Sequence, residues 1–216
     1  MINTKENMGR HNRHKKSKLV YGVGYSGEKY PITTDGIKTK EYDAWHSILR
    51  RCYDEKYKFR FKTYNECLIC DEWLLYDNFY EWLISQENYS LWKSNDYWAI
   101  DKDIIEKHNK IYCPEYCCLV PQYLNKLLLR HEGQRGLTPI GVTLLKNGEI
   151  RSYCNNPFLK KQEYIGTYSN EIDAFNAYKK VKEKYIKDFA EQEYQNGIIT
   201  KKCYDALKNY IVEITD

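Results

Sequence analysis

No stretch of this chain approaches the roughly 20 consecutive apolar residues that a membrane-spanning helix needs. A mean hydropathy of −0.78 and 30% charged residues leave most of its surface polar, so no membrane partner is expected. The N-terminus lacks the apolar core of an export signal. Without such a signal the eight cysteines read as free thiols or metal ligands rather than as a disulfide framework. No glycine-rich phosphate loop, nucleotide-binding fingerprint or Ser-His-Asp order occurs, and the chemistries that depend on them have no support.

What the chain does have is 216 residues, enough for two small cores, and a net charge of +4 that is unevenly placed. Residues 1–20 carry six basic side chains against Glu6 alone and have almost nothing to bury, which predicts a basic flexible arm. Such an arm serves either as a solubilising tail or as a contact for the phosphate backbone. Residues 41–136 carry 13 basic and 16 acidic side chains, so the middle of the chain is not a uniform basic clamp. The 22 tyrosines accompany many Lys, Asn and Ile residues, a composition that an AT-rich coding sequence produces.

The last third is the most patterned. Gly141 and Val142 open a strand, Asn147-Gly148 predict a two-residue hairpin turn, and Glu149 to Asn155 run back. Gln162 to Tyr168 supply a third strand. A helix then starts at Asn170, with Asp173 completing a capping box, and places Ala174, Ala177, Tyr178, Val181, Tyr185 and Phe189 on one stripe. Three strands backed by one helix leave the other sheet face bare.

The blocks Ile140-Gly141-Val142, Gly148-Glu149-Ile150-Arg151, Tyr164 to Tyr168 and Ala174 to Tyr178 resemble, in order and spacing, the APETALA or ethylene-response-factor type of DNA-binding domain. The resemblance implies a sheet lying in the major groove of double-stranded DNA. Its outward residues here would be Thr143, Leu145, Arg151, Tyr153, Asn155, Gln162 and Tyr164, with Lys160 and Lys161 as flanking phosphate contacts. Thr143 and Leu145 stand where plant members carry arginines, which removes guanine reading from the first strand.

Upstream, an Asp35-Gly36 turn separates two short strands, and from Tyr42 the spacing of Trp45, Ile48, Leu49, Cys52 and Tyr53 is helical. Arg50 and Arg51 fall off that stripe, on a solvated face. A second helix spans Asp77 to Ile84, and Cys70 to Trp73 reads as a strand entering the core.

Tyr42-x-x-Trp45, Cys70-Asp71-Glu72-Trp73, Ile100-Asp101-Lys102-Asp103, Asn109-Lys110, Cys117 to Pro121 and Asn125 together look like phage HNH-type proteins that carry an APETALA-type domain at the C-terminus. That resemblance implies an α+β protein. Residues 21–133 would form a nuclease-related domain containing a ββα unit, and residues 134–216 a three-stranded antiparallel sheet on one helix with a helical extension. It also implies an endonuclease of the homing type acting in the cytoplasm of a bacterial host cell. Its catalytic constellation would be Asp101, Lys102, Asp103, His108, Asn109 and Asn125, with Mg2+ or Mn2+ on Asp101, Asp103 and Asn125. Lys102 occupies the place of the general-base histidine, and a lysine of ordinary pKa, about 10.4, stays protonated at neutral pH. His108 is either an alternative base or an ordinary loop residue.

Cys67-x-x-Cys70 with Cys113 and Cys117 offers four thiolates to a structural zinc. Cys113-x-x-x-Cys117 is loosely spaced for a second zinc knuckle, so burial of these thiols as small apolar groups is the favoured reading. Two function classes stay open: a metal-dependent DNA endonuclease, and a non-catalytic DNA-binding regulator or host-defence-modulating factor on an eroded nuclease scaffold. The sequence identifies no host protein partner.

Overall fold

The computed structural model describes residues 19–128 and 138–216. All but Leu19 and Val20 of the basic arm, and the expected domain boundary near residue 133, lie outside the described residues. The chain is α+β, and it is organised around two hydrophobic cores.

The first core grows from helix α1 (Lys40–Tyr53), which starts where the Thr39 side chain accepts the Tyr42 N–H at 3.2 Å. Tyr42, Trp45, Ile48, Leu49 and Cys52 recur at helical spacing and are all buried, as their periodicity predicts. Ahead of it the short strands β1 (Thr33–Thr34) and β2 (Ile37–Lys38) pair across Asp35 and Gly36, both at positive φ. A short exposed helix, α2 (Glu55–Arg60), and a 3-10 turn follow α1.

The strand expected at Cys70 to Trp73 is instead a 3-10 helix, Asp71–Leu74. Strand β3 ends at Ile69, the Cys70 N–H still bonds to Tyr112, and the chain then folds so that Trp73 N–H reaches the Cys70 carbonyl. The bend drives the Trp73 ring into the core, where its own carbonyl accepts the indole N–H of Trp45 at 2.7 Å. Helix α3 (Tyr76–Ile84) adds Tyr76, Phe79 and Leu83, and α4 (Tyr89–Ser94) adds Trp92.

Glu41 is 1% exposed beneath these elements, held by Lys93 at 2.7 Å and by the Tyr89 hydroxyl. Burial pushes its pKa up, but Lys93 and the Tyr89 hydroxyl outweigh it, and the carboxylate titrates below its usual value.

Strands β4 (Trp98–Asp101) and β6 (Cys118–Pro121) form an antiparallel ladder, with β5 (Ile111–Tyr112) between them in sequence but paired in parallel with β3 (Leu68–Ile69). Helix α5 (Gln122–Leu127) leaves the end of β6, completing a ββα unit. Every residue of β6 is buried.

The second core lies between this unit and the C-terminal third. Strands β7 (Val142–Leu144), β8 (Ile150–Asn156) and β9 (Lys161–Tyr168) form an antiparallel meander. Helix α6 (Glu171–Gln195) packs on one side of it. Asn170 caps α6, accepting the Asp173 N–H at 2.9 Å while its amide donates to the Asp173 carboxylate at 2.8 Å.

The buried residues of α6 are Ala174, Phe175, Tyr178, Lys182, Ile186, Ala190 and Glu193, with Val181, Tyr185 and Phe189 half-buried beside them. Twenty-five residues make a helix of about 37 Å. Its second half therefore runs past the sheet and packs on α7 (Lys201–Lys208), the expected helical extension.

The hairpin between β7 and β8 differs from the expected two-residue turn. Gly148 N–H bonds to the Leu145 carbonyl at 2.9 Å, and of the loop residues only Gly148 has positive φ. The loop is thus a three-residue one, in which Asn147 keeps negative φ and its side chain caps the Glu149 N–H at 3.1 Å. Leu145 closes this loop, its N–H bonded to the Glu149 carbonyl at 2.9 Å, one residue past the end of the strand.

At Gly141, φ is +77° and an added Cβ would lie 2.1 Å from the Tyr178 ring. Gly141→Ala is expected to lose at least about 2 kcal/mol through backbone strain and displacement of Tyr178. Urea unfolding followed by circular dichroism would check this, and an unchanged midpoint would contradict the placement.

Candidate nucleic-acid interface

Alternation along β8 divides its side chains cleanly. Ser152, Cys154 and Asn156 are buried toward α6, while Arg151, Tyr153 and Asn155 face away. The register aligns Thr143, Arg151 and Thr167 in one row, Tyr153 with Tyr164 in a second, and Asn155 with Gln162 in a third. Tyr153 and Tyr164 approach at 5.6 Å between ring centroids, and the Tyr164 hydroxyl lies 2.8 Å from the Thr167 hydroxyl. Tyr164 is 58% exposed. Among the described residues α6 is the only helix packed extensively on this sheet, and it takes the opposite face.

Thr167 joins the stripe because of a bulge. The register shifts between Ser152 and Tyr153, so β9 carries one residue more than β8 there and the outward parity changes from even to odd numbers. Gly166 in mid-strand was the signal for it in the sequence.

At the other end of the stripe Lys160 and Lys161 are both exposed. The turn that carries them is fixed by Asn156, whose side-chain oxygen accepts the Phe158 and Leu159 N–H groups at 2.9 and 3.0 Å. Lys160 closes the turn at φ 53°. A groove of about 950 Å3 opens beside Asn155 and Gln162, walled among the described residues by Tyr123 and Lys126 of α5, Phe158, and Phe189 of α6.

Arg151 donates to the Glu149 carboxylate at 2.6 Å. Hydrogen bonding to Tyr153 and to Glu149 raises its pKa, so it is a permanent cation, and Glu149 titrates below its ordinary range mainly because of Arg151. The stripe therefore presents one guanidinium, partly screened by its own acid, among neutral hydroxyl and amide groups.

The residues expected to form a nuclease centre are only partly brought together. The Asp101 carboxylate accepts the Asp103 and Ile104 N–H groups at 2.7 and 2.9 Å, and burial, with the Asp103 charge behind it, raises its pKa. Lys102 is 7% exposed, and its ammonium donates to the Asp103 carboxylate and to the Asn109 carbonyl. Asn109 donates in turn to the Lys102 and Ile111 carbonyls at 2.8 and 2.7 Å. These four side chains thus hold one another and the loop backbone.

Asn125 sits half-buried on α5 and makes no hydrogen bond to that loop. The ladder pairs Asp101 with Cys118 and Trp98 with Pro121, so α5 leaves from the far end of the ladder. In this arrangement the Asp103 carboxylate holds the Lys102 ammonium and the Asp101 carboxylate caps backbone N–H groups.

His108 turns instead toward the C-terminal segment at φ 66°, its Nε2 3.4 Å from the Glu213 carboxylate. His108, Glu213 and Asp216 place ligand atoms within 4.8 Å of one another. Lys107 already lies in that group, donating to Glu213 at 2.8 Å and to Asp216 at 2.9 Å, and it ties the loop to the end of the chain. Among the described residues no three of the thiols Cys67, Cys70, Cys113 and Cys117 gather at metal-ligand spacing; burial is the largest influence on each and raises their pKa values.

No protein-family model matches the chain, and neither a curated protein nor a solved structure does. No helix among the described residues is long and apolar enough to cross a membrane.

Lys182, on the wall of the groove, is 9% exposed and donates to the Leu127 carbonyl. Desolvation lowers its pKa below 10.5, only weakly opposed by the Cys154 thiol. A lysine depressed in the folded state binds fewer protons there than when unfolded, so its unfavourable contribution is complete below the folded pKa and vanishes as pH rises to about 10.5. The stability of Lys182→Met relative to wild type is accordingly expected to fall between pH 7 and 10.5. Denaturant midpoints at several pH values would measure the trend, and a flat difference would rule out the buried ammonium.

Proposed function

We propose that this protein binds double-stranded DNA through the face of the β7–β8–β9 sheet opposite α6, and that the half preceding it is a scaffold rather than a metal-dependent nuclease. The observation that carries the reading is the one-sided sheet. Three strands span about 10 Å, close to the roughly 12 Å width of the major groove. The face they present is a stripe of Arg151, Tyr153, Asn155, Gln162, Tyr164 and Thr167, flanked by Lys160 and Lys161.

Asn155 and Gln162 suit the edge of adenine, while exposed lysines suit phosphates. Arg151 would exchange Glu149 for a guanine edge or a phosphate. The likeness to APETALA-type domains fits this use of the sheet, and the likeness of the remainder to phage HNH proteins fits a phage or mobile-element gene product working in the host cytoplasm.

The scaffold reading rests on Lys102. A buried ammonium shared between Asp103 and the Asn109 carbonyl occupies the position where the enzyme would need a base and a metal. Host proteins as partners have no support in the geometry.

Gel shifts on duplexes selected from a randomised pool test the sheet. The Arg151→Ala, Asn155→Ala, Tyr164→Ala triple variant is expected to bind its selected site at least about 30-fold more weakly, since single base contacts are worth roughly 1–3 kcal/mol. Lys160→Gln with Lys161→Gln is expected to weaken all duplexes alike and to reduce the slope of log K against log salt by about 1.8. Undiminished binding by the triple variant would remove the sheet as the reading surface.

A nicking assay on supercoiled DNA with Mg2+ or Mn2+ tests the scaffold. Wild type is expected to leave the DNA intact, and metal-dependent nicking that disappears in Asp101→Ala would restore the nuclease.

A further inference from the structure

A second surface stands apart from the sheet. Between Tyr53 and Glu66 the chain contains no aliphatic side chain, and Lys56-Tyr57-Lys58-Phe59-Arg60-Phe61-Lys62 alternates cation with aromatic ring. With Arg50 of α1 this surface holds five cations against Asp54 and Glu55, and the Asp54 carboxylate is already engaged in capping the Tyr57 N–H at 3.0 Å. Arg51, expected on a solvated face, is instead half-buried and donates to the Tyr112 hydroxyl at 3.2 Å.

Helix α2 buries none of its residues, so its sequence is not explained by packing. Phe59 is 78% exposed and Phe61 40% exposed. Cations lie on the rings throughout: Lys62 over Phe59 at 4.6 Å, Arg60 over Phe61 at 5.3 Å, Arg50 over Tyr57 at 4.6 Å and Arg51 over Tyr64 at 5.4 Å.

We propose that α2 and the turn after it form a second nucleic-acid site, one that takes an unpaired strand, with bases stacked on Phe59 and Phe61 and phosphates held by Lys56, Lys58, Arg60 and Lys62. Exposed rings give bases a face on which to stack whatever their sequence, and neighbouring cations track the backbone. An anionic lipid surface is the poorer fit. Phe59 lies two residues from both Tyr57 and Phe61, close to the opposite side of the helix from them, so the rings do not compose one apolar face that could sink into a bilayer.

The inference is independent of the sheet: its failure would appear in Phe59 and Phe61 variants on single strands, that of the sheet in Arg151, Asn155 and Tyr164 variants on duplexes.

The test is fluorescence anisotropy of the full chain with a labelled 20-nucleotide oligo(dT), a 20-base-pair duplex as control, and sedimentation with phosphatidylcholine–phosphatidylglycerol vesicles. Phe59→Ala with Phe61→Ala is expected to weaken oligo(dT) binding on the order of tenfold or more. Duplex affinity should stay unchanged, and Phe59→Tyr should retain single-strand binding. Lys58→Gln with Lys62→Gln is expected to reduce the single-strand salt slope by about 1.4. Absence of oligo(dT) binding by wild type, or unchanged binding by the double Phe variant, would overturn the proposal. So would loss on the duplex in place of the single strand, which would make Phe59 a wedge between base pairs, or loss confined to vesicles.

Discussion

Strand β6 is the constraint on which the rest of the molecule depends. Its neighbour Cys117 and its own Leu119 point into the core of Trp45, Trp73, Tyr76 and Phe79, whereas Cys118 and Val120 point into the core of Leu124, Leu127, Ile186 and Leu207. A strand with apolar side chains on both faces has no solvated side, which is why four consecutive positions, Cys117-Cys118-Leu119-Val120, carry no polar group. Buried backbone groups along such a strand require partners. The ladder to β4 supplies most of them. Asn88, 4% exposed, supplies another by donating to the Leu119 carbonyl at 3.0 Å and also to the Ile198 carbonyl at 2.9 Å, one amide spanning both halves of the chain.

The sharing of β6 explains which parts of the fold were legible in the sequence. Local periodicity was enough for the stripe of α1, the Asp35-Gly36 turn, the three C-terminal strands and the cap of α6, because in each case one face meets one core. It failed where tertiary demands override the local pattern. Cys70 to Trp73 looks extended, yet the indole of Trp73 can reach its pocket only if the backbone turns. Phe175, off the stripe that periodicity predicts for α6, is 5% exposed and part of the second core. The ββα unit also serves the C-terminal third, since Ile104, Cys118, Val120, Leu124 and Leu127 belong to the same core as α6 and α7.

Polar residues divide in the same way. Hydroxyl, amide and lysine side chains on the sheet could be placed from alternation, and the one missed, Thr167, was displaced by a bulge that only the pairing of β8 with β9 defines. Lys102 could not be placed from its neighbours in sequence. Burial of an ammonium is tolerated there because Asp103 offers it a charge and Asn109 a carbonyl, and those partners come from the path of the loop. The same four residues that resemble a nuclease motif in the sequence thereby act as the clasp of a loop between β4 and β5.

A shared strand also limits how such a protein can change by recombination. A gene fragment beginning after residue 137 would carry the sheet, α6 and α7 but leave behind Val120, Leu124 and Leu127, so the transplanted piece would arrive with an open apolar wall on α6. Exchange of the C-terminal third between relatives would succeed only where the acceptor already carries a matching β6 and α5. The two halves are therefore coupled in stability, and a change of volume on one side of β6 is felt by the core on the other.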